Sequence, residues 1–91
     1  MSKSKPKRNE LETATLKQFG NRIKELRQKK GYSQEEFAHI AGFSRSYYAE
    51  IETGSRNVSL LNLLRILKHL GANTGELSEL LQKQKDVYPQ R

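Results

Sequence analysis

"SQEEFAHIAGFSRSYYAEIETG" spans residues 33–54 and carries two helix starts and two helix stops. Ser33 with Glu36 three residues on is a capping box: the serine hydroxyl serves an orphan backbone N–H and the glutamate reaches back. The helix it opens turns Phe37, Ala38 and Ile40 or Ala41 inward and ends at Gly42. Ser44 is the next N-cap, Arg45 to Thr53 forms another helix, and Gly54 closes it. Gly42 supplies the left-handed backbone that so short a turn needs. Ala38 has to be small, because the following helix crosses close to it. Phe37, Phe43, Tyr48 and Ile51 pin the pair at a fixed angle. Two short helices joined in this way form a helix-turn-helix.

On the N-terminal side, Leu16, Phe19, Ile23 and Leu26 recur every three or four residues, one apolar stripe of a helix running from about Glu12. Lys29 and Lys30 followed by Gly31 make a good C-terminus, with cations at the negative end of the dipole. Gly20 lies inside this helix, where glycine costs about 1 kcal/mol relative to alanine. Close packing against another element is the expected reason. On the C-terminal side, Ser59 caps a helix through Leu60, Leu63, Leu64, Ile66, Leu67 and Leu70, ended by Gly71. Asn73 with Glu76 starts a fifth through Leu77, Leu80 and Leu81, fraying near Lys85. No segment alternates like a strand, and the helices differ too much for a repeat array. The expected fold is an all-α, five-helix bundle. Residues 1–11 form a basic flexible tail, 12–85 the domain and 86–91 a C-terminal tail.

The chain has 91 residues and no cysteine, so neither a disulfide nor a cysteine-based zinc site can staple it. A chain this short buries only about 60–65% of its unfolded surface, which makes self-association a natural support. His39 and His69 show no ligand spacing, and no metal or cofactor is expected. The apolar runs are too short for a membrane span or a secretory leader. A cytoplasmic setting, bacterial or phage and nucleoid-associated, is expected. The net charge is +7, and residues 1–30 hold all of it: ten lysines and arginines against three acids. The remaining residues balance, an asymmetry that suggests an anionic partner, nucleic acid or a membrane surface, or else a solubilising tail. Catalysis finds no foothold. Glu35 and Glu36 are accounted for by capping, no serine stands by sequence near both a histidine and a carboxylate, and there is no phosphate-cradling glycine loop. A non-enzyme without a small-molecule ligand is expected.

The segments "FGNRIKELRQKKGYSQEEFA", "GFSRSYYAEIETGSRN" and "SLLNLLRILKHLG" together resemble the Cro- and lambda-repressor-like, or XRE-type, family of DNA-binding domains. The resemblance spans about Leu16 to Leu81. It implies a five-helix bundle that binds palindromic operators as a dimer. It also implies a salt bridge between Arg27 and Glu52, which the residues alone would leave as surface charges. Val58 stands where many members carry proline. "GSRNVSLLNL" and "SRSYYAEIE" are more similar to the controller proteins of restriction–modification systems.

Successive residues of the second helix of the motif stand about 100° apart around its axis. With the inward axis between Tyr48 and Ile51, Ser46, Ala49 and Glu50 point outward, Arg45 is lateral and Tyr47 is on the rim. That short polar face suits a major groove about 12 Å wide. Arg45 could bind guanine O6 and N7; otherwise it is a solvated arginine, misplaced at the positive end of a helix. Ser46 contacts a base or phosphate, or is ordinary surface. Glu50 accepts from cytosine N4 or pairs with a basic side chain. Tyr47 offers its hydroxyl to the duplex, or is a partly buried ring. Backbone contacts are expected from Ser44, Arg56 and Asn57, and the resemblance carries one onto Gln34, at a helix N-terminus where free N–H groups attract anions. Leu77, Leu80 and Leu81 exceed what the edge of a small bundle needs and are expected to form a homodimer interface. The leading reading is a double-stranded DNA-binding transcriptional regulator. The alternative is an antitoxin-type module that binds a toxin as well as DNA.

Overall fold

The computed structural model describes residues 8–72 together with Gly75, Ser78, Glu79 and Gln82. It is all-helical over these residues, with α1 at Arg8–Lys29, α2 at Gln34–Ala41, α3 at Arg45–Thr53 and α4 at Leu60–His69. Four helices are therefore described. The fifth, expected from Asn73 to Lys85, falls outside the described residues except at Gly75, Ser78, Glu79 and Gln82, all helical. The first helix starts at Arg8 rather than near Glu12, with Glu10 placed favourably in its first turn. Residues 8–11, expected in the flexible tail, are thus helical.

Local chemistry sets each boundary. Ser33 Oγ accepts from the Glu36 N–H at 3.0 Å, and Glu36 Oε1 accepts from the Ser33 N–H at 2.8 Å. Gly42 has φ of 83° and donates its N–H to Ala38 and His39 carbonyls, while the Phe43 N–H reaches Ala38 O at 2.8 Å. Ser44 then caps α3 by accepting from Tyr47 N–H, and Ser59 caps α4 by accepting from Asn62 N–H, both at 3.1 Å. Three residues, Gly42 to Ser44, thus separate α2 from α3.

The core gathers Ile23 of α1, Phe37, Ala38 and Ala41 of α2, Tyr48 and Ile51 of α3, Ile66 of α4 and Leu70, its C-cap. Full burial of each large apolar side chain here is worth about 1.5–3 kcal/mol. The Phe37 and Tyr48 rings pack at 5.3 Å between centroids, tilted by 55°. Ala41, not Ile40, is the inward residue: Ile40 is 41% exposed.

Two glycines let α1 lie directly on α3. A Cβ at Gly20 would stand 2.4 Å from the carbonyl oxygens of both Ile51 and Glu52. A Cβ at Gly54 would stand 2.7 Å from Lys17 N. Main chain touches main chain at both points, so the position of α3 does not depend on side-chain repacking along this seam.

In α4 the sequence stripe is wider than the buried one. Ile66, Leu67 and Leu70 are buried, whereas Leu60, Leu61 and Leu64 are 67%, 76% and 44% exposed. The apolar repeat marks the helix without saying which of its leucines are covered. One helix face can meet the bundle, and six leucines and isoleucines in ten residues overfill it.

Candidate nucleic-acid interface

The inner side of α3 carries a buried polar network. Arg27 donates from Nε to Glu52 Oε2 at 2.6 Å and from Nη2 to Oε1 at 3.1 Å, so the pair expected from the resemblance is brought together as a two-point contact. The third arm, Nη1, donates to the Tyr32 carbonyl at 2.7 Å. Tyr48 donates its hydroxyl to Glu52 Oε2 at 2.5 Å, and Gln34 donates Nε2 to Oε1 at 2.9 Å. One carboxylate thus ties α1, α2 and α3.

Burial by itself would push the Glu52 carboxyl up, but the hydrogen bonds from Arg27, Tyr48 and Gln34, with the Arg27 charge, hold it below the ordinary carboxylate value. The same bond to Glu52 raises Arg27 against its own desolvation. Burial, and then the carboxylate it faces, push the Tyr48 phenol up, so it stays a donor. Sequence reasoning missed the Tyr48 hydroxyl and the Gln34 amide as members of this network. The four-residue spacing of Tyr48 and Glu52 was a signal for the first, since it places both on one helix face.

The outer side is different in kind. Arg45 and Ser46 are exposed at the first turn of α3, and no hydrogen bond or ion pair ties the Arg45 side chain among the described residues. Ala49 and Glu50 follow, half-buried. Glu50 Oε1 receives Arg56 Nε at 2.5 Å, so its first partner is a basic side chain of its own chain. The Arg56 guanidinium also lies over the Tyr47 ring, 5.2 Å from its centroid. Tyr47 stands on the rim: its ring packs on Phe43 at 5.3 Å, and its hydroxyl accepts from Asn62 Nδ2 at 2.9 Å. No acceptor for the phenolic proton stands among the described residues. Nothing in the sequence singled out Asn62.

Gln34 and Ser44 open α2 and α3, and Arg56 and Asn57 lie exposed in the loop after α3. Gln34 is at the first position of α2, where backbone N–H groups lack helical acceptors, while its own side chain leans back on Glu52. Tyr47, Glu50 and Arg56 are brought together, while Arg45 and Ser46 stand exposed at the first turn of the same helix. Leu77, Leu80 and Leu81 lie outside the described residues. Among the described residues no group of histidines and carboxylates has the makings of a metal site, and no helix is long and apolar enough to cross a membrane.

The sequence profile of the Helix-turn-helix family matches residues 23–77, more than half of the chain. The control protein C.MunI of a Mycoplasma species is 46% identical over 67 residues, spanning 72% of this chain and 90% of that protein. The crystal structure of the restriction–modification controller protein C.AhdI from Aeromonas hydrophila superposes with a TM-score of 0.66 at 46% identity, covering 71% of this chain and 94% of that one. The restriction–modification controller protein C.Esp1396I, solved as a tetramer in complex with its natural 35 base-pair operator, superposes with a TM-score of 0.67 at 33% identity, covering 77% and 92%. With Ser33 to Gly54 folded as two capped helices about a three-residue turn, the chain belongs to the XRE-type helix-turn-helix family, whose members include the restriction–modification controller proteins.

Proposed function

We propose that this protein is a sequence-specific, double-stranded DNA-binding transcriptional regulator, acting as a homodimer on a palindromic operator and controlling a restriction–modification system. One observation carries the reading: α3 is fixed from behind by main-chain contact and a buried ion pair, yet presents Arg45 and Ser46 exposed, with no partner for the Arg45 side chain among the described residues. A cation held at the positive end of a helix is unfavourable unless an acceptor is supplied from outside. Guanine in the major groove supplies two.

In this reading Arg45 and Ser46 meet base edges, with Tyr47 at the groove wall and Glu50 beside it. Gln34, Ser44, Arg56 and Asn57 contact the phosphates on either side. The operator-bound assembly of C.Esp1396I supports the choice of duplex DNA and of more than one protomer. The exposed Leu60, Leu61 and Leu64 of α4 add an apolar face for the partner. A fifth helix carrying Leu77, Leu80 and Leu81 would extend it. Such a regulator works in the cytoplasm, where bacterial DNA is, and needs neither cofactor nor small-molecule ligand.

The test is selection of binding sites from random duplexes, followed by titration of affinity against salt. A two-fold symmetric consensus with half-sites about 34 Å apart, and a steep negative salt slope, is the expected outcome. No enrichment over random DNA overturns the reading.

A further inference from the structure

We propose that Glu50 is a specificity-setting positioning residue: its carboxylate retains Arg56 on the protein until a correctly registered duplex offers Glu50 a donor in exchange. The inference rests on the DNA-binding reading above and concerns how one phosphate contact is made conditional on sequence.

Three observations build it. First, Arg56 is already engaged, with Nε 2.5 Å from Glu50 Oε1. Both side chains are about half exposed, at 50% and 44%, so the pair is screened by water and is easily exchanged. Second, the guanidinium rests over the Tyr47 ring, itself held by Phe43 and by the Asn62 amide. That platform fixes where Arg56 waits. Third, the backbone between the partners is tied down. The Ser55 N–H donates to the Glu50 carbonyl at 3.0 Å, and Thr53 Oγ1 donates to the same carbonyl at 3.1 Å. Exchange therefore moves the Arg56 side chain and leaves α3 in place.

Electrostatics then makes the exchange selective. A phosphate and the Glu50 carboxylate compete for one guanidinium. If Arg56 leaves for a phosphate, Glu50 is left bare against a polyanion, which is unfavourable. A cytosine amino group in the groove removes that penalty by donating to the freed carboxylate. On a non-cognate duplex no donor is in register, Arg56 stays on Glu50, and one counterion fewer is released.

The experiment uses the full chain, the duplex enriched from a random pool, and a scrambled duplex of equal length. Affinities are measured across a salt series for wild type, Glu50→Gln, Arg56→Gln and the double variant. Glu50→Gln should bind the scrambled duplex about two- to five-fold more tightly, the range set by the weakness of an exposed pair. Its salt slope on that duplex should steepen by about 0.9, one added phosphate contact, while the slope on the enriched duplex stays unchanged. In the Arg56→Gln background the same substitution relieves only the repulsion of a bare carboxylate, so the gain should be smaller and the slope should not steepen by a phosphate contact. Equal gains with and without Arg56 would mean bare repulsion between Glu50 and DNA, and would overturn the proposal. So would an unchanged scrambled-duplex affinity, or slopes that shift together on both duplexes. A wild type that binds neither duplex refutes the DNA-binding reading instead, a separate result. Glu50→Ala, which removes any residual amide contact to Arg56, should match Glu50→Gln. Unchanged circular dichroism for each variant establishes that the fold is intact.

Discussion

Glu52→Gln keeps the shape of a side chain at the centre of the bundle and removes its charge. Four donors converge on the native carboxylate: two from Arg27, the Tyr48 hydroxyl and the Gln34 amide. Glutamine offers one oxygen in place of two, and its NH₂ must face a donor. Arg27, 7% exposed, keeps its charge without a counterion. Losing one member of a buried pair costs about 3–5 kcal/mol. A domain of 91 residues has about 5–14 kcal/mol in all. The variant should therefore lose about a fifth or more of the total and melt at least about 12 °C lower. Urea denaturation at neutral pH measures the free energy, and repeating it down to pH 2 isolates the carboxylate. Because the folded-state value of Glu52 lies below the ordinary one, near 4.3, the unfolded chain binds the proton first as pH falls. The contribution is complete above that ordinary value and disappears as pH falls through the folded value. The gap between wild type and variant should narrow over the same range. Adding Arg27→Met should recover part of the loss, since the stranded charge is gone. A loss below about 1 kcal/mol, or a gap that does not narrow in acid, would refute the account of Glu52 as the ionised hub.

Gly20→Ala gains about 1 kcal/mol of helix propensity, but its methyl meets two α3 carbonyl oxygens at 2.4 Å. Overpacking of this kind costs about 1–3 kcal/mol, so thermal melts should show a net loss; a stabilised variant would mean that the two helices separate freely. Arg45→Ala should relax specificity at one base of each half-site by about 1–3 kcal/mol in competition binding, with the other positions unchanged. Leu61→Lys with Leu64→Lys should shift sedimentation toward the monomer while leaving helicity intact, because both residues are exposed in the single chain; an unchanged sedimentation coefficient would exclude α4 from the self-association surface.

What could be read from the residues was local. Ser33 with Glu36, Gly42, Ser44, Gly54 and Ser59 act within four or five residues of themselves, so their patterns give α2, α3 and the start of α4 directly. Gly20 was legible as an anomaly, although the oxygens it makes room for belong to another helix. The start of α1 was missed because Arg8 to Glu12 lacks the apolar repeat that marked the later turns. Burial along α4 was not legible, because leucine propensity and leucine burial look alike in one dimension; only packing shows which face is covered. The candidate interface was legible in exposure and not in pairing. Arg45 and Ser46 lie where helical geometry puts them. The Glu50–Arg56 contact depends on a loop conformation, and Tyr47–Asn62 on how α4 lies beside α3. Helical periodicity carries neither.

The main-chain contact at Gly20 has a consequence for how such a protein can change. The seat of α3 is made by carbonyl oxygens and by Ile51 and Glu52 on its inner side, none of which a duplex would touch. Arg45, Ser46 and Glu50 take no part in that seat. A lineage can therefore rewrite the outer residues proposed to meet an operator, one at a time, while the helix presenting them stays where it is. Divergence in target and persistence of scaffold are uncoupled here by the absence of a single methyl group.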